Sequence, residues 1–168
     1  MLEGFMKQVL GDKYTIAWFK IAECVSRGEK ERALGVYRLL SYSFNDNAVA
    51  RQLEADIHFS FDEYDSAVSL YRQAMELYQK SNRFLEAAAV CEHLIIMCPN
   101  DISLRREAIR LYAALDNVSK IHKHMCKALD DLLAADNKHG LQEFLSLLRA
   151  QSDELYEYAH TYLQTMSS

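Results

Sequence analysis

The chain has 168 residues, half of them hydrophobic, and 19 Lys and Arg against 24 Asp and Glu give a net charge of -5. That much apolar material can form one continuous core, which excludes disorder as the default, and the acidic balance argues against nucleic acid as a partner. A single proline and five glycines are few for a chain that must turn often between strands, so composition leans toward helix.

The first element is an N-terminal amphipathic segment, residues 1–11, in which Leu2, Phe5, Met6, Val9 and Leu10 form an apolar stripe before Gly11 breaks it. The stripe has to be buried. It caps the end of a helical array, lies in a groove, or packs against a second copy, which would make a homodimer through Leu2, Phe5, Met6 and Val9. The segment lacks the charged start and long apolar stretch of a secretory signal, and no apolar run approaches the ~18 residues needed to cross a bilayer. No membrane partner is expected, and the chain is expected to be cytoplasmic. Cys24, Cys91, Cys98 and Cys126 are widely spaced with no CxxC, which favours reduced thiols.

Residues 12–168 read as a single helical domain. Apolar residues recur at helical spacing, as in Ile16, Phe19, Ile21 and Val25, or Leu104, Ala108, Leu111 and Tyr112, and strict alternation is absent. Polar breaks fall at Gly28, Asn45-Asp46-Asn47, Asp62, Ser81-Asn82, Pro99-Asn100-Asp101, Asp116-Asn117, Asn137 to Gly140, and Ser152-Asp153. They imply about nine helices, and such short connections make neighbours antiparallel.

The segments after these breaks resemble one another. Gly28 to Leu40 aligns with Asp62 to Ala74, placing Ala67 34 residues after Ala33, and Asn82 to Ala87 aligns with Asp116 to Ile121, placing Ile121 34 after Ala87. A fainter copy puts Leu155, Ala159 and Tyr162 one period further on. The two series are out of phase, because Ala67 and Ala87 are only 20 apart.

A 34-residue helix-turn-helix period resembles the tetratricopeptide repeat. The resemblance implies an all-α fold, a right-handed superhelical array of antiparallel helix pairs. Its best-matched repeats are 12–45, 46–80, and 81–98 with 101–134, followed by a degenerate pair at 137–166. Small Ala33, Ala67 and Ala87 stand where paired helices approach closest, Tyr37 and Tyr71 resemble the family's aromatic wedge, and Pro99 follows a helix end as in the family. Arg51 and Glu54 depart from it, at positions that are normally apolar.

In this family partners lie along a concave face built from first helices, and the matching positions are Trp18, Ala22 and Val25, then Gln52, Asp56 and Phe59. Trp18 is an anchor if partly exposed and core if buried, and its neighbours Phe19 and Ile21 favour core. The carboxylate clamp of chaperone-binding members is not expected, since its first three positions match Trp18, Ala22 and Leu53.

Between residues 105 and 127 basic residues dominate. Lys120, Lys123 and Lys127 form one helical stripe, and Arg106 and Arg110 another, which either receives an acidic or phosphorylated partner or is a solvated face neutralised by Asp130 and Asp131. His122 and Cys126 share a helix face, but two ligands are not a zinc site, and no metal or other cofactor is expected. There is no phosphate loop, nucleophile elbow or His-Glu-x-x-His pair, so no catalysis is expected either. The reading is an adaptor or chaperone-like module that binds another protein, by a peptide or a helix, on its concave face. The alternative is a regulatory or self-association domain similar to the helical-repeat domains of bacterial transcription activators, which Arg83 to Leu133 resembles.

Overall fold

The computed structural model describes residues 16, 18–42 and 46–166. Leu2, Phe5, Met6 and Val9, with the homodimer read from them, lie outside the described residues.

The described residues are helical almost throughout, with no strand among them. Helix α1 covers 18–26. It is followed by α2 (Lys30–Ser41), α3 (Asn47–Ser60), α4 (Tyr64–Lys80), α5 (Phe84–Met97), α6 (Ile102–Ala114), α7 (Val118–Ala134), α8 (Lys138–Gln151) and α9 (Asp153–Met166). The chain is thus all-α, with nine helices among the described residues.

One turn is used again and again. Gly28, Asp62, Asn82, Asp116 and Asp136 all adopt positive φ, between 47° and 72°. In each case the next residue's N–H reaches back five residues: Glu29 to Cys24, Glu63 to His58, Arg83 to Tyr78, Asn117 to Tyr112 and Asn137 to Leu132. This closes the preceding helix by the Schellman arrangement, which needs a left-handed residue, and Gly, Asn and Asp are the residues that tolerate it best. The residue after the left-handed one opens the next helix, the carbonyls of Glu29, Glu63, Arg83, Asn117 and Asn137 accepting from Ala33, Ala67, Ala87, Ile121 and Leu141 in turn. One residue therefore ends one hydrogen-bond ladder and starts another, which reverses the chain within three residues.

The two other connections within α2–α7 use a different device. Asp46 and Asp101 cap α3 and α6, Asp46 accepting from the N–H groups of Ala48 and Val49 and Asp101 from that of Ser103. The left-handed residues at 28, 62, 82, 116 and 136 are therefore spaced 34, 20, 34 and 20 apart. The 20-residue step between Ala67 and Ala87 is not an isolated slip, because Ile121 and Leu141 repeat it. The unit that recurs locally is three helices in 54 residues, as the starts of α2, α5 and α8 at Lys30, Phe84 and Lys138 show. The fainter copy at Leu155 is displaced by one residue, since the Ser152 carbonyl accepts from Tyr156.

The chain divides into two compact units, one ending at Val90 and the other beginning at Cys91, with the division inside α5. In the first, Ile21 and Cys24 of α1, Ala33, Leu34 and Tyr37 of α2, and Leu53 and Ile57 of α3 form one core cluster. Helix α4 packs closely on α3, and Ala67, Tyr71, Ala74, Met75 and Tyr78 are its buried residues. Ala67 exposes no surface, as a closest-approach position requires. In the second unit α6 packs on α7, which also meets α8 and α9. Leu104, Ala108, Met125, Ala128, Leu129, Phe144 and Ala159 are buried there. The four cysteines are all thiols.

The departure at Arg51 and Glu54 has a physical explanation. Glu54 accepts hydrogen bonds from Tyr37 at 3.0 Å and from Arg51 at 2.7 Å, so a half-buried carboxylate takes the place of an apolar contact. Burial, the Glu54 charge and this bond push the Tyr37 hydroxyl up to about 12, which keeps it a donor.

Candidate partner-binding site

Helix α1 turns Ile21 and Cys24 inward, and Trp18 lies one turn before Ile21 on the same face, beyond the reach of the core cluster. Trp18 is 44% exposed and Phe19 72%. Of the two places open to Trp18, this is the exposed one, not the core that Phe19 and Ile21 favoured, because the inward stripe of α1 begins at Ile21. Ala22 is exposed as well, whereas Val25 is half-buried against the core cluster.

On α3, Leu53 and Ile57 face the core. Phe59 stays 36% exposed, edge-on to Tyr64 with ring centroids 5.7 Å apart. Gln52 and Asp56 have a structural task. Tyr78 donates its hydroxyl to Gln52 Oε1 at 2.8 Å and Tyr71 donates to Asp56 Oδ1 at 2.5 Å, so both tie α3 to α4. Burial, followed by the bond to Asp56 and the Asp56 charge, holds the Tyr71 phenol well above its ordinary value. Of the six positions, Trp18 and Phe59 thus offer apolar surface that the core leaves out, and Phe19 joins them although the family positions did not include it. Large aromatics left half in water are the side chains that most often anchor a partner.

The basic stripe on α7 is largely spent within its own unit. Lys120 Nζ lies 2.8 Å from Glu92 and Lys127 Nζ 2.6 Å from Asp131, while Lys123 is exposed. Asp131 also faces Arg105 at 3.2 Å, and Asp130 accepts from the Tyr162 hydroxyl. Neutralisation was expected from Asp130 and Asp131. For Lys120 it comes instead from Glu92.

Glu92 is the centre of a cluster that spacing could not reveal. Its Oε1 takes Tyr112 Oη at 3.0 Å, Lys120 Nζ at 2.8 Å and His124 Nε2 at 3.1 Å, with the His124 and Tyr112 rings stacked. Burial opposes ionisation of Glu92, but the Lys120 bond, the charge that His124 carries once acid protonates it, and the Tyr112 and His124 bonds outweigh it and hold the carboxyl down at about 2. His124 is 1% exposed, and burial drives its pKa below the ordinary value against the pull of Glu92. A neutral His124 must then donate from Nε2 to Glu92, which leaves Nδ1 as a bare lone pair. That atom has no hydrogen-bond partner among the described residues. Protonation would also create a buried N–H with nothing to accept it, which acts in the same direction as the burial. The cluster pins α5, α6 and α7 together at one carboxylate. Glu92 and His124 are 32 residues apart, so only a fold could bring them together.

His122 stacks on Tyr158 with ring centroids 3.8 Å apart. Among the described residues no group of three His, Cys, Asp or Glu side chains is placed to hold a metal ion. No described helix is long and apolar enough to cross a membrane.

No protein family matches the sequence, and no curated protein does. A solved structure described as "MamA RS-1 ArsTM double mutant" aligns with 94% of this chain and 96% of its own, at 17% identity and a TM-score of 0.36. That likeness is too distant to assign a function.

Proposed function

We propose that this chain is a non-catalytic protein-interaction module of the tetratricopeptide type, an adaptor or chaperone-like protein that takes a peptide or helix of a partner on the α1 and α3 surface of its first unit. The observation that carries the reading is the exposure of Trp18, Phe19 and Phe59 beside a core already filled by Ile21, Cys24, Leu53 and Ile57. Folding gains nothing from leaving such rings in water, whereas binding gains most from rings already held in place. Trp18 and Phe59 are the anchors in this reading. Gln52 and Asp56, already fixed by tyrosines, supply oriented polar edges. The four thiols fit a reducing compartment such as the cytoplasm.

The test is a double substitution, Trp18→Ala with Phe59→Ala, in the whole chain. Loss of two anchors is expected to weaken the partner complex by about 2 kcal/mol or more, some thirtyfold in Kd, with helix content unchanged by circular dichroism. Unaltered affinity in a folded double variant would place the partner elsewhere.

A further inference from the structure

We infer that the second unit carries a separate docking groove between α6 and α8, and that its occupant is an acidic, apolar helix of a partner protein. A cavity of about 520 Å³ opens there, with Ile109 of α6 and Phe144, Leu147 and Leu148 of α8 among its walls and Arg106 and Arg110 on the α6 side. Ile109, Phe144 and Leu148 are almost fully buried, but Leu147 is 46% exposed. The groove therefore has an apolar floor and an open lip, which suits a polypeptide better than an enclosed small molecule.

Charge complementarity identifies the occupant. Of the other cations in this stretch, Lys123 is exposed to solvent and the remaining four have acids. Arg105 and Lys127 share Asp131, Lys120 has Glu92, and Arg110 has Glu107 at 3.4 Å. Arg106 is half-buried and has no ion pair among the described residues. It also borders a second cavity of about 180 Å³ with Leu132, Gly140, Phe144 and Glu143, whose carboxylate faces His139 at 3.4 Å instead. A guanidinium held over apolar surface with no acid of its own is matched by a carboxylate brought from outside. The neighbouring Arg110 points the same way, its side chain 68% exposed despite Glu107. A helix with leucines one turn apart and glutamates beside them places apolar side chains on Ile109 and Leu147 and carboxylates on Arg106 and Arg110.

The experiment is fluorescence anisotropy on the whole chain with a labelled amphipathic peptide of about 14 residues, the length of α8. It carries Leu at i, i+4, i+7 and i+11 with Glu on the flanks, and a twin carries Lys in place of Glu. The Glu peptide is expected to bind, and the Lys twin at least tenfold more weakly. Arg106→Glu is expected to lower affinity for the Glu peptide at least tenfold and to raise it for the Lys twin. Leu147→Glu, at an exposed position, is expected to abolish binding without unfolding the chain. Trp18→Ala with Phe59→Ala should leave this binding intact, which separates the groove from the first-unit surface. Equal binding of both peptides, or Arg106→Glu and Leu147→Glu variants that bind as the parent does, would overturn the proposal. So would dodecanoate saturating the groove when the Glu peptide does not bind.

Discussion

Three donors converge on one oxygen of Glu92, and one of them belongs to a histidine that burial keeps neutral. Both shifts make acid destabilising, over different ranges. His124 is neutral when folded and titrates near its ordinary 6.5 when unfolded, so the unfolded chain binds the extra proton and stability falls as pH drops below that value. Glu92 titrates near 4.5 unfolded and about 2 folded, so its share is complete above pH 4.5 and is lost as pH falls through the folded value. Thermal melts between pH 7.5 and 5 are expected to fall less steeply for His124→Phe than for the parent, by up to about 1.4 kcal/mol per pH unit. Parallel slopes would mean that His124 is not buried neutral. Glu92→Ala strands Tyr112, Lys120 and His124 together and is expected to cost about 2 kcal/mol at pH 7 in chemical denaturation. None of this was legible beforehand. The stripe of Lys120, Lys123 and Lys127 could be seen, but whether a lysine is free depends on an acid 28 residues away on another helix. Whether Trp18 is core or surface was open for a related reason: Phe19 and Ile21 suggest a buried stripe, and only the packing of α1 on α2 and α3 shows that the stripe starts after it.

The helices themselves were readable, because the turn chemistry is written in the residues that take it. Gly28, Asp62, Asn82, Asp116 and Asp136 hold the left-handed position, and Gly, Asn and Asp stand there because other side chains meet their own backbone. The 20-residue offset was readable too, though not that it recurs, since Leu141, like Ile121, replaces the alanine that marks the position at Ala33, Ala67 and Ala87. Three substitutions at two positions test the turn account. Gly28→Ala is expected to cost about 1 kcal/mol, because φ is 72° there even though nothing lies within 4 Å of the added carbon. Asp136→Gly is expected to be neutral or stabilising by up to about 0.5 kcal/mol, whereas Asp136→Ala is expected to destabilise. Gly35 stands inside α2 with open space beside it, and Gly35→Ala should raise stability by about 0.5–1 kcal/mol. Denaturant midpoints give all four values.

At the scale of the whole molecule, each unit leaves something the core does not use: aromatic surface on α1 and α3 in the first, an apolar groove under Arg106 in the second. On the proposed reading, the half-exposed rings on α1 and α3 are the surface that a partner chain covers. The most direct measurement is site-specific photocrosslinking in the protein's native cells, with benzoylphenylalanine placed in turn at Trp18, at Phe59 and at exposed Gln73 on α4. The account predicts one and the same adduct from positions 18 and 59, and none from 73. No adduct from 18 and 59, or identical bands from all three positions, would contradict it.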